Sequence, residues 1–113
     1  MPRLKKYKPI EKEFTQSIFT LREVDRVDGN GVAAAVYEKR ITETGKVVGF
    51  EAIRIRFSDG GLVKFGNGVE TVLEPKEVYP SDSKWGIDGY TLAPTRKGYK
   101  KAVTRMNQFL GDV

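Results

Sequence analysis

The sequence predicts an α+β domain: an antiparallel sheet of about five strands, joined as a meander, with one amphipathic helix at the C-terminal end packed on it. Three observations lead there. Runs rich in β-branched and aromatic residues are separated by Asp/Asn-Gly turns. Residues 32–57, VAAAVYEKRITETGKVVGFEAIRIRF, read as one long β-hairpin. Only the last stretch, 95–110, carries apolar residues at helical spacing.

Residues 1–14 mix Lys, Pro and Glu, and Pro2 and Pro9 discourage regular structure, so they read as a basic, mobile or loosely docked arm ahead of a single α+β domain over 15–113. Residues 16–27, QSIFTLREVDRV, alternate as a strand does. Asp28-Gly29-Asn30-Gly31 then turns the chain into the hairpin. There Gly45 supplies the positive φ of a Thr44-Gly45-Lys46 loop, which sets Ala35 opposite Ile55, Tyr37 opposite Ile53 and Lys39 opposite Glu51. That apolar face is the expected core. A shorter loop, Thr44-Gly45, would oppose Glu38 to Glu51, a like-charge pair that costs stability. The other face carries Val36, Glu38, Arg40, Phe50, Ala52, Arg54 and Arg56, with Glu38 diagonal to Arg54.

Ser58-Asp59-Gly60-Gly61 is a second turn, and a loop of 59–61 would bring Val63 opposite Phe57, Phe65 opposite Ile55 and Lys64 opposite Arg56. After Gly66-Asn67-Gly68, residues 69–73 form a short strand stopped by Pro75. Residues 77–94, EVYPSDSKWGIDGYTLAP, are too interrupted for regular structure. They read as an ordered loop packing Trp85 and Tyr90 over an end of the core, with 90–92 as a short edge strand. Thr95 is the N-cap of a helix reaching about Leu110, stopped by Gly111. Tyr99, Ala102, Val103, Met106, Phe109 and Leu110 form its apolar stripe, opposite Lys97, Lys100, Lys101 and Arg105.

Composition narrows function by exclusion. The chain has no cysteine, so no disulfide, thiolate site or cysteine nucleophile, and no histidine, the commonest general base and zinc ligand. No cofactor, metal or catalytic residue is expected, and the reading is of a protein that is not an enzyme. The basic start precedes no apolar run and no stretch has the length of a membrane span, which predicts a soluble, cytoplasmic protein without a membrane partner. The net charge of +5 sits at the ends: residues 1–15 hold five Lys or Arg against two Glu, and 96–105 hold five without an acid, whereas 16–95 hold ten against twelve acids. Such a layout marks either an anionic partner or ordinary solvated faces.

The run EVYPSDSKWGIDGYT before a short C-terminal helix, preceded by an IRIR strand, resembles a pattern of small bacterial and phage single-domain proteins with Tyr-Pro-Ser, Trp-Gly and Gly-aromatic-Thr elements, for which no activity is known. Tyr90 departs from it where tryptophan is more usual. The resemblance implies a prokaryotic or phage origin (host cytoplasm, if phage-encoded) and structural roles for Trp85, Gly86 and Gly89.

Three constellations are candidates for function. Phe50 among Arg40, Arg54, Arg56 and Lys64 has the aromatic-and-basic make-up of a single-strand-binding sheet face, against the alternative that the helix covers it or that Glu38 and Glu70 neutralise it. Lys97, Lys100, Lys101 and Arg105 can meet phosphates together with Arg3, Lys5, Lys6 and Lys8, or stand as a solvated helix face. Tyr79, Trp85 and Tyr90, beside Asp82 and Asp88, can anchor a protein partner or cap the core. The expectation is a small binding protein acting through an unidentified protein partner, an accessory factor or inhibitor, with sequence-independent nucleic-acid binding on the sheet face as the alternative. Self-association through a sheet edge is a third course.

Overall fold

A computed structural model describes residues 7–29, 31–64, 66 and 68–111. Eight strands and one long helix follow in the order β1 (Glu13–Gln16), β2 (Phe19–Asp28), β3 (Ala33–Ile41), β4 (Val47–Ser58), β5 (Gly61–Lys64), β6 (Glu70–Leu73), β7 (Lys76–Val78), β8 (Gly89–Leu92) and α1 (Arg96–Gly111). Six strands make one antiparallel sheet of order β1-β2-β3-β4-β7, with β8 also on β4; β5 and β6 pair only with each other. This is the expected α+β class, an antiparallel sheet with a C-terminal helix packed on it.

The expected strand over 16–27 is β2, which begins only at Phe19, and an additional strand, β1, precedes it. Ser17 and Ile18 turn the chain between Gln16 and Phe19, which pair, and Ser17 takes φ 57° where glycine is usual. No Gly or Asn marks this turn in the sequence.

The hairpin keeps its predicted face but not its register. Ala33 faces Ile55, Ala35 faces Ile53 and Tyr37 faces Glu51, a slip of two residues from the expected pairing. The cause is a longer loop, closed by the Ile41 amide on the Lys46 carbonyl, together with a bulge that leaves Val48 without a partner between Lys39↔Gly49 and Arg40↔Val47. An even slip moves no side chain to the opposite face. Lys39 still reaches Glu51, at 3.2 Å, now diagonally.

Beyond Phe57 the expected return of residues 62–65 onto β4 does not occur. Val63 pairs with Thr71 and Lys64 with Glu70, and Phe65 lies outside the described residues. The end of β4 belongs instead to β7, through Arg56↔Val78, Phe57↔Glu77 and Ser58↔Lys76, and its middle to β8, through Phe50↔Leu92 to Ile53↔Gly89. Gly60 and Gly61, at φ 72° and 115°, swing the chain away from the sheet, and a Cβ on Gly60 would lie 2.2 Å from the Leu73 carbonyl. Since Ser58 and Lys76 are partners, the β5–β6 ribbon is an excursion inserted at the tip of a β4/β7 hairpin.

Both faces of the central strands are buried. On the first, Leu21, Ala33, Ala35, Tyr37, Ile53 and Ile55 form a core against Ile10, Phe14, Phe57, Tyr79 and Trp85. Residues 7–12 help to close it: Lys8 exchanges backbone bonds with Pro75 and Glu77, and Lys12 accepts from the Glu23 amide. Glu77 locks the closure, taking both Nη1 (2.8 Å) and Nη2 (2.7 Å) of Arg26 and the Ile10 amide (3.1 Å). Thus residues 7–12 of the expected 1–14 arm are tied to the sheet, Glu13 and Phe14 belong to β1, and residues 1–6 lie outside the described residues.

On the second face α1 lies over Ala34, Val36 and Ala52 with Ala102, Met106 and Phe109. Small residues on both sides let helix and sheet approach closely. Thr95 caps the helix as predicted, its Oγ1 accepting from the Gly98 amide at 3.0 Å, a contact of about 1 kcal/mol. Gly98 is obligatory, since its Cβ would fall 1.9 Å from the Ala93 carbonyl. Within the expected loop over 77–94, β8 forms where residues 90–92 were expected as a short strand, while the end of β7 and a 3-10 turn (Asp82–Lys84) were not expected.

Candidate functional site

The aromatic residues expected to meet a partner are divided between the two cores. Tyr79 and Trp85 lie on the first face, and Tyr90 on the second. Tyr79 packs edge-on against Phe14 and Tyr37 and donates its hydroxyl to Glu51 Oε1 at 2.5 Å, while Oε2 pairs with Lys39. Burial first, and the Glu51 charge second, push the Tyr79 phenol well above its ordinary range, so it stays protonated. Trp85 Nε1 donates to Thr91 Oγ1 at 2.9 Å, and its ring fills the place a Cβ on Gly89 would take, 2.5 Å away. Tyr90 stacks on Phe109 and lies under the Arg105 guanidinium, 4.4 Å from the ring centre.

A cleft of about 320 Å³ opens beside this cluster, walled by Ser17, Lys39, Glu51, Tyr79, Asp82 and Trp85. Each Glu51 oxygen already has a protein partner. Asp82 is exposed, whereas Asp88 is fully buried and does not line the cleft. Asp88 Oδ2 accepts from Arg56 Nε at 2.8 Å and from Nη2, with Arg54 Nε 3.9 Å from Oδ1. Among the described residues no cluster of three acidic side chains is placed to hold a metal ion.

Asp88 decides the fate of the sheet-face candidates. Arg54 and Arg56 are its counter-ions, and Arg54 also lies over the Phe109 ring. Phe50 meets Tyr99 edge-on beneath α1. Arg40 pairs with Glu38, which was expected to reach Arg54. Lys64 stands on the ribbon opposite Glu70. The five do not converge into one surface.

Lys97, Lys100, Lys101 and Arg105 do converge. All are exposed and line one shallow groove with Leu92, Thr104 and Gln108. Of the N-terminal cations expected to join them, Arg3, Lys5 and Lys6 lie outside the described residues, and Lys8 is held at β7.

The β5–β6 ribbon was not expected as a site, because residues 62–65 were expected to return onto β4 and residues 69–73 to add a further short strand to the sheet. Leu62 and Val72 face each other across it with 65% and 76% of their surfaces in water, and Leu73 is exposed too. No helix among the described residues is long and apolar enough to cross a membrane. Compared with known protein families, curated proteins and solved structures, the chain matches none.

Proposed function

We propose that this is a small non-enzymatic binding protein that docks on a protein partner, as a bacterial or phage accessory factor or inhibitor does, with the β5–β6 ribbon as its docking element. The observation that carries the reading is the exposed Leu62–Val72 pair. An isolated two-stranded ribbon is marginal in water, and holding its apolar pair in solvent adds nothing to the fold. On a partner each such side chain contributes about 1.5–3 kcal/mol. Lys64 and Glu70 stand two residues along the same face, so the fitting partner presents an apolar cleft with a charged or polar rim. Tyr79, Trp85 and Tyr90, the aromatic residues expected for this role, pack against the two cores, which favours the ribbon. Residues 59–75 leave and rejoin the sheet at neighbouring points, which lets the ribbon change partner contacts without disturbing the core.

The test is site-specific photo-crosslinking in cells that contain the protein. A photoreactive residue replaces Leu62, Val72 or, as an exposed apolar control on another loop, Ile87. A discrete adduct from positions 62 and 72, absent at 87 and abolished from position 62 by Val72→Glu, supports the reading. Adducts from 87 with none from the ribbon would refute it.

A further inference from the structure

We infer that the exposed face of α1 binds the phosphodiester backbone of nucleic acid, duplex in preference to single strand and without reading bases. The surface is separate from the ribbon: α1 begins beside Phe50, near the start of β4, and the ribbon leaves from the other end, after Ser58.

Charge accounting carries the inference. Arg26, Arg40, Arg54 and Arg56 of the sheet each stand against a carboxylate. Arg96, Lys97, Lys100, Lys101 and Arg105 are exposed, and among the described residues none of them has an ion-pair partner. The layout opposes helix stability. Arg96 and Lys97 occupy the first turn, which contains no acid, where the helix's own N-terminal partial charge is already positive. Lys97, Lys101 and Arg105 repeat at four-residue spacing, which places like charges side by side, about 6 Å apart along the axis. A bound polyanion reverses the sign of every one of these terms.

The neighbours select the kind of polyanion. Thr104 and Gln108 add neutral polar groups between the cations, Leu92 is the one apolar residue of the groove, and no carboxylate lines it. A protein partner would need an apolar centre there, whereas a phosphate backbone needs only cations and polar donors. No aromatic platform is offered for unstacked bases: Tyr90 is covered by Arg105 and Phe109, and Tyr99 is packed on Phe50. Arg105, fixed over Tyr90, is held ready at one end of the stripe. Duplex, with its higher charge density, is therefore favoured over single strand.

Fluorescence anisotropy with a labelled 20-base-pair duplex and its single strand, titrated from low to physiological salt, tests this. The expected result is duplex binding, tighter than to the single strand and insensitive to sequence. Its log–log salt slope should be roughly −3 for three to four neutralised phosphates, falling by about one unit for each of Lys97→Ala and Lys101→Ala. Lys46→Ala, on the β3–β4 loop, and Leu62→Glu should leave it unchanged. Circular dichroism confirms that each variant is folded. No duplex binding at low salt, tighter binding to the single strand, or an unchanged slope in folded Lys97→Ala/Lys101→Ala protein would overturn the inference. So would competition by polyglutamate as effective as by unlabelled duplex at equal charge, which would assign the face to an acidic protein segment.

Discussion

The β3–β4 pair and the β5–β6 ribbon use the same materials to opposite ends. Both are antiparallel, both oppose aliphatic residues, and both place Lys against Glu. In β3–β4, however, each face has something to bury it: Phe14, Tyr79 and Trp85 on one side, Ala102, Met106 and Phe109 on the other. Among the described residues of the ribbon, Leu62, Val72 and Leu73 stand exposed. Local pairing makes a strand, but only a covering layer makes it core. Cations follow a similar division: Arg26, Lys39, Arg40, Arg54 and Arg56 of the sheet stand against carboxylates, whereas among the described residues none of the five cations of α1 has an ion-pair partner.

This contrast can be broken by substitution. Ile53, fully buried in the first core, should cost about 2–5 kcal/mol when cut to alanine, read as a fall in the urea midpoint with no change in slope. Asp88→Ala removes a fully buried carboxylate from between Arg54 and Arg56. It should cost about 3 kcal/mol, less if the partly exposed arginines turn to water, and should loosen β8 in amide exchange.

A pH series sharpens the comparison between matched and unmatched charge. The bidentate Arg26 holds Glu77 below the ordinary carboxylate range, against the opposing effect of burial. A depressed folded pKa means stability fully present above the unfolded value, about 4.3, and lost as pH falls through the lower folded value. Glu77→Gln should therefore be less stable than the parent at neutral pH, with the two converging on acidification. Parallel curves for the two proteins would remove Glu77 from the closure of the sheet. The smallest effect is predicted for the ribbon: Leu62→Ala and Val72→Ala should each change stability by no more than about 0.5 kcal/mol, although the same change at Ile53 is severe.

What the sequence made legible was whatever depends on side-chain period alone. The strand face of Ala33, Ala35 and Tyr37 survives a two-residue slip, and Thr95 and the stripe from Tyr99 to Phe109 announce the helix by local chemistry. Registers and partners were not legible. Nothing local announces the bulge at Val48 or the turn at Ser17, and a short run such as Leu62-Val63-Lys64 does not say which strand it will join. The sheet-face site looked plausible because Phe50, Arg54 and Arg56 share a face. Its covering by α1, and the counter-ion Asp88, 32 residues beyond Arg56, are tertiary facts. Lys97, Lys100, Lys101 and Arg105 could be read together because four residues make nearly one turn.

The central claim is that the ribbon is spare to folding and kept for docking. Its most direct test is excision. Ser58 and Lys76 are already paired, so replacing residues 60–74 by Asn-Gly should close β4 and β7 as an ordinary hairpin. The excised protein is predicted to melt cooperatively at close to the parent's temperature, to keep α1 and to lose the partner contact. A protein that no longer folds cooperatively would show that the ribbon belongs to the core after all, and the contrast drawn above would be void.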